Sequence, residues 1–69
     1  MHKFNGYIIN DGEIEKKSKF VCFGEMADGT KCFHEIDENG DEISGFWYSM
    51  SKIKVDGKQY ALFFREGRE

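Results

Sequence analysis

Two cysteines and two histidines, Cys22, Cys32, His2 and His34, are the residues of this chain best suited to chemistry. A thiolate beside an imidazole is a nucleophile with its base, and two thiolates with an imidazole are three of the four ligands of a tetrahedral zinc site. The spacing Cys-x9-Cys-x-His fits no common zinc pattern, and paired Cys-x-x-Cys knuckles are missing from the sequence. The turn between the cysteines decides the geometry. A two-residue turn at Asp28-Gly29 sends them to opposite faces of a hairpin, which excludes both a disulfide and shared metal ligation. A three-residue turn with a bulge would set Cys22 opposite His34, with Cys32 diagonal to both. The adopted reading is two reduced, partly buried thiols, with no metal and no cofactor.

Carboxylates are plentiful, and Asp37, Glu38, Asp41 and Glu42 crowd into DENGDE at 37–42. A calcium loop needs alternating ligands and a terminal bidentate Glu, neither of which is present, and Asn39-Gly40 reads as a turn. The sequence contains no Gly-rich phosphate loop, nucleophile elbow or metalloprotease motif. The expectation is a non-enzymatic protein.

The elements that would position these residues are marked by turns. Asp11-Gly12, Asp28-Gly29, Asn39-Gly40 and Asp56-Gly57 are four strong hairpin signals. Between them lie segments rich in aromatic and β-branched residues. They predict five antiparallel strands near 3–10, 13–27, 30–38, 41–55 and 58–66. The charged run 13–19 would also suit a loop or a short helix. Strands two and four are long, and Gly24 and 49–51 are the places expected to bend. The fold class is all-β: a five-stranded meander over one domain, 1–69, closing as a small SH3-like barrel or a strongly curled sheet.

Two-residue loops fix the registers. They set Ile36 opposite Ile43, Phe33 opposite Phe46 and Cys32 opposite Trp47. They also set Ile53 opposite Tyr60, Met50 opposite Phe63 and Tyr48 opposite Arg65, with Val21 opposite Ile36 and Phe23 opposite His34. Side chains alternate between faces along a strand, so these pairings sort the chain into two sets. Val21, Phe23, Ala27, Cys32, Ile36, Ile43, Trp47, Ile53, Tyr60, Leu62 and Phe64 form the expected core. Trp47 is structural on this reading, and its truncation should unfold the domain.

The other face holds Phe33, Phe46, Tyr48, Met50 and Phe63, with Lys31 and Arg65 bracketing Tyr48 in one row. Aromatic and Arg anchors ringed by polar groups are the composition of an interface centre, so these seven residues are the expected partner-binding patch. Alternatively, the N-terminal hairpin, with Phe4, Tyr7, Ile8 and Ile9, folds over them as a second core. At the acidic tip a two-residue loop sets Glu38 against Asp41 and Asp37 against Glu42. Like charges placed directly opposite would suit steering toward a basic partner.

Ten Lys and Arg against thirteen Asp and Glu give net −3. That balance disfavours anionic membranes and general nucleic-acid binding, where a basic face is needed. No apolar stretch approaches a membrane span, so a soluble, cytoplasmic protein is expected. The expected function is a protein-binding module, of the kind that inhibits a larger protein by occupying its site; a virus-encoded inhibitor directed at a host protein is one form. A single-stranded nucleic-acid binder and a self-associating subunit, such as a homodimer, are the alternatives.

Overall fold

All four Gly turns form, but they are of two kinds. The computed structural model describes residues 2–68. Asp11 and Gly12 have φ of 52° and 77°, and Asp56 and Gly57 have 51° and 80°. Two successive positive φ angles make the type I′ loop that matches strand twist. At Asp28-Gly29 and Asn39-Gly40 only the glycine is positive, at 93° and 88°. Gly29 N–H donates to the Met26 carbonyl at 3.0 Å and Met26 N–H to that of Thr30 at 2.7 Å. Gly40 and Asp37 bond in the same way, to Asp37 and Asp41, at 3.0 and 2.9 Å. These are three-residue loops with a left-handed glycine, not the two-residue loops expected. Side chains explain the difference. Asp37 Oδ1 accepts from Asn39 N–H at 2.9 Å and Asp41 N–H at 3.0 Å, and Asp28 Oδ1 from Thr30 N–H at 3.0 Å. Each carboxylate stabilises a local turn that a two-residue loop would break.

The strands are β1 (Lys3–Asn10), β2 (Glu13–Glu25), β3 (Lys31–Ile36), β4 (Glu42–Val55) and β5 (Lys58–Arg68). Neighbours in sequence pair antiparallel, and β1 closes on β5 to complete a barrel. An odd-numbered meander leaves its first and last strands pointing the same way. The seam is accordingly parallel, over Tyr7–Leu62, Ile8–Phe63 and Ile9–Phe64. Gly6 lies beside that seam, where a Cβ would fall 2.6 Å from the Ala61 carbonyl oxygen and against the Phe63 ring.

From Tyr48 to Val55 the β4–β5 register is the expected one, with Ile53 opposite Tyr60, Met50 opposite Phe63 and Tyr48 opposite Arg65, and a shift beyond it sets Trp47 opposite Gly67. Elsewhere bulges move the pairing by two residues. Phe23 is extra on β2, so Val21 faces His34 and not Ile36. An irregularity between His34 and Ile36 sets Phe33 opposite Tyr48 and His34 opposite Trp47. On β4 the bend therefore falls before Trp47, where Gly45 has φ of 72°, and not at 49–51. The charged run 13–19 is strand throughout.

A shift of two residues preserves odd-even parity, so the two sets of side chains stay sorted as expected. Which set fills the centre of the barrel is reversed, although Val21, Cys32 and Ile36 of the expected core are buried as well. The core consists of Ile8, Phe20, Phe33, Tyr48 and Phe63, with Phe4, Phe46, Met50 and Ala61 packed against it. The Phe20 and Phe63 rings stack at 3.7 Å, and Phe33 meets Phe63 edge-on at 5.2 Å. Closure makes one face concave, and a five-stranded barrel has room there for few side chains. Large rings opposite Gly6 and Ala61 fill it; the expected core had more apolar residues, but it lies on the convex side, where area is larger. Trp47 is therefore only partly buried, on the outside, opposite Gly67.

Candidate functional site

The aromatic residues expected to bind a partner are interior. Phe33, Tyr48 and Phe63 are buried in the barrel, and Phe46 and Met50, partly buried, pack on them, so the five do not form one exposed patch. Lys31 does not share the row of Tyr48; it faces Glu25, with Nζ 3.3 Å from the carboxylate. Arg65 does face Tyr48, but as a lid. Its guanidinium lies 4.6 Å from the Phe46 ring centroid and 5.9 Å from that of Tyr48, and it donates to Glu15 at 2.9 Å. A side-chain hydrogen bond with Tyr48 holds its proton more firmly than usual. The N-terminal strand does supply cover, since Ile8 and Phe4 enter the barrel.

The acidic tip is also rearranged. Asp37 is a turn-former bonded to Asn39 and Asp41, and Glu42 faces Ile36 with its carboxylate 3.5 Å from His34 Nε2. The expected opposition of Asp37 with Glu42 is not formed. The cysteines do not share a row either: Cys22 faces Phe33, while Gly24 faces Cys32. Both thiols are free, Cys22 exposed and Cys32 buried.

With the rings inside, most of the residues expected as core, though not the buried Val21, Cys32 and Ile36, are left on the outer face, and there two apolar areas form. The first is a groove of about 400 Å³ lined by Phe23, Met26, Cys32, Trp47 and Arg68. Phe23, thrown outward by the bulge, stacks on the His34 ring at 3.8 Å. The second runs across β2, β1, β5 and β4, and is a groove of about 340 Å³ lined by Tyr7, Ile14, Ile53, Val55, Tyr60 and Leu62. Register explains its composition. Tyr7 neighbours Leu62 across the seam, Ile53 faces Tyr60, and the extra Glu15 on β2 turns Ile14 outward beside Ile9. Ile14 is 66% exposed, Ile53 41% and Val55 48%. Three β-branched residues this exposed on one face make a contiguous apolar patch that the fold itself does not cover.

Charge is segregated around these surfaces. Residues 25–42 carry seven acids against Lys31 alone, and the remainder carries nine bases against six acids. Lys3, Lys17, Lys19 and Lys58 share the outer parity of the second groove, with Lys17 Nζ 5.8 Å from the Tyr7 ring centroid. The net charge of −3 conceals this division. Ile53, Tyr60 and Leu62 share one face as the sequence predicts, with Ile53 opposite Tyr60; the bulge at Glu15, which brings Ile14 to them, carries no sequence signal.

Among the described residues no helix is long and apolar enough to cross a membrane, and no three His, Cys, Asp or Glu side chains are grouped to hold a metal ion. Compared with family models, curated proteins and solved structures, the chain finds no match.

Proposed function

We propose that this chain is a non-enzymatic protein-binding module that docks through the outer groove of Tyr7, Ile14, Ile53, Val55, Tyr60 and Leu62. One observation carries the reading: the barrel already has a complete aromatic core, yet a four-strand apolar face remains in water. Burying such a face in a partner recovers hydrophobic free energy of about 25 cal/mol per Å², with the two tyrosines as anchors and the surrounding lysines as a polar rim. The apolar lining is mostly aliphatic, which suits protein side chains better than stacked bases.

The test is capture from the source cell followed by a binding titration with the purified captured protein. Ile14→Thr/Ile53→Thr keeps β-branched residues on the strands while removing apolar area. The double variant should bind at least about tenfold more weakly, or about 1.4 kcal/mol, with its melting curve unchanged. Equal affinity of the two proteins would remove the groove from the interface and the reading with it.

A further inference from the structure

The barrel is not paired along its whole length. β3 is six residues long, and its register with β4 ends at Phe33–Tyr48. From Ser49 to Val55, β4 pairs with β5 alone, and no other backbone hydrogen bond reaches this stretch among the described residues. β2 is in the same position from Glu13 to Ser18, where it pairs only with β1. Side chains bridge the gap there. Ser18 and Lys16 reach Glu35 of β3 at 2.7 and 3.1 Å, and Glu15 holds Arg65 of β5. Among the described residues no such bridge crosses from the open edge of β4, where the Ser49 hydroxyl bonds back to Glu66 of β5.

The turn states which groups that edge offers. A two-residue loop at Asp56-Gly57 makes Val55–Lys58 a hydrogen-bonded pair, and such pairs alternate with non-bonded ones along an antiparallel ladder. Lys54–Gln59, Lys52–Ala61 and Met50–Phe63 are then the non-bonded pairs. The backbone N–H and C=O of Met50, Lys52 and Lys54 therefore point away from β5, toward the open side. Alternation sets Lys52 and Lys54 on one side of the strand and Ile53 and Val55 on the other, where they border the apolar groove.

We infer that a partner enters as a strand, adding an extended segment of alternating acidic and apolar residues to the Ser49–Val55 edge of β4. Its acidic residues lie beside Lys52 and Lys54, and its apolar residues beside Ile53 and Val55. Main-chain bonds to Met50, Lys52 and Lys54 hold it, as in other cases of strand addition. A second copy of this chain is a poor occupant, because antiparallel pairing of two such edges brings lysines together; edge lysines are a common guard against that pairing. The inference rests on the protein-binding reading above, yet fails separately from it. A partner that needs Ile14 and Ile53 but not the β4 amides would keep the reading and remove the strand.

The test uses the whole isotope-labelled protein and short, end-blocked peptides that alternate Glu with Val, or Lys with Val. Oligothymidine serves as the nucleic-acid control. The Glu–Val peptide should shift and protect the amides of Met50, Lys52 and Lys54, and the Lys–Val peptide should not bind. Lys52→Pro removes an N–H that β5 does not use, so the hairpin survives while affinity falls at least about tenfold; Lys52→Gln should lose less. A Glu–Val peptide N-methylated at its pairing amides leaves the protein untouched and should lose affinity to the same extent. The inference is overturned if the Glu–Val peptide does not bind, if the proline variant and the methylated peptide bind as well as their parents, or if oligothymidine alone occupies the edge.

Discussion

Tyr48 and Arg65 face each other across β4 and β5, the ring fully buried in the barrel and the guanidinium 5.9 Å from its centroid. Neighbouring Trp47 points to the other face and is only partly buried. Tyr48→Ala should cost about 3–5 kcal/mol, enough to unfold a domain this small. Trp47→Ala should cost about 1–2 kcal/mol, with the fold intact. Urea denaturation of both variants checks the order; a Trp47 variant less stable than the Tyr48 variant would contradict the inward assignment.

Gly6 sits where β1 meets β5, against Phe63 and the Ala61 carbonyl. Gly6→Ala inserts a methyl group into that contact and should destabilise by about 2 kcal/mol or more, through separation of the seam. Loss of amide protection concentrated in 7–9 and 62–64 would show the mechanism. An unchanged urea midpoint would mean that the barrel does not close there.

Glu35 is 3% exposed and accepts from Ser18 and Lys16, whereas Lys16 is 56% exposed. The two partners differ in what they leave behind. Glu35→Gln releases Lys16 to water and keeps a hydrogen bond to Ser18, a loss of about 1 kcal/mol or less. Lys16→Met strands a buried carboxylate and should cost more, about 1–3 kcal/mol. Denaturation midpoints at neutral pH decide the order, and the reverse order would show that Glu35 gains little from its lysine.

Asp28 has its carboxyl held below the ordinary 3.8 by the backbone N–H of Thr30. A lowered carboxyl pKa favours the folded state when ionised. Its contribution is therefore full above pH 3.8 and is lost as the pH falls through the lowered value. Asp28→Ala should be less stable than the parent at neutral pH, and the two stability curves should converge in acid. A constant gap across the acid range would leave the turn without a role for the charged form.

The legible part of the fold was its punctuation and its parity. Type I′ turns at Asp11-Gly12 and Asp56-Gly57 follow from their residues, and the β4–β5 register follows from the second of them. Asp37, two residues before Asn39, was the available sign of a longer loop. Inside and outside were not legible from counts of apolar residues. Phe20, Phe33, Tyr48 and Phe63 win the interior because closure limits the concave face to a few large rings, and closure depends on a seam of three residue pairs between β1 and β5. The candidate site inherited that inversion: Ile53, Tyr60 and Leu62, grouped correctly, were assigned to the core.

The central claim is that the Tyr7, Ile14, Ile53, Val55, Tyr60 and Leu62 face is surplus to folding. It is tested most directly by the urea midpoint of Ile14→Thr/Ile53→Thr measured beside the parent. Exposed positions with β propensity retained predict a change within about 0.5 kcal/mol. A loss of about 2 kcal/mol or more, the scale of a core truncation, would show that this face holds the protein together and is not free for a partner.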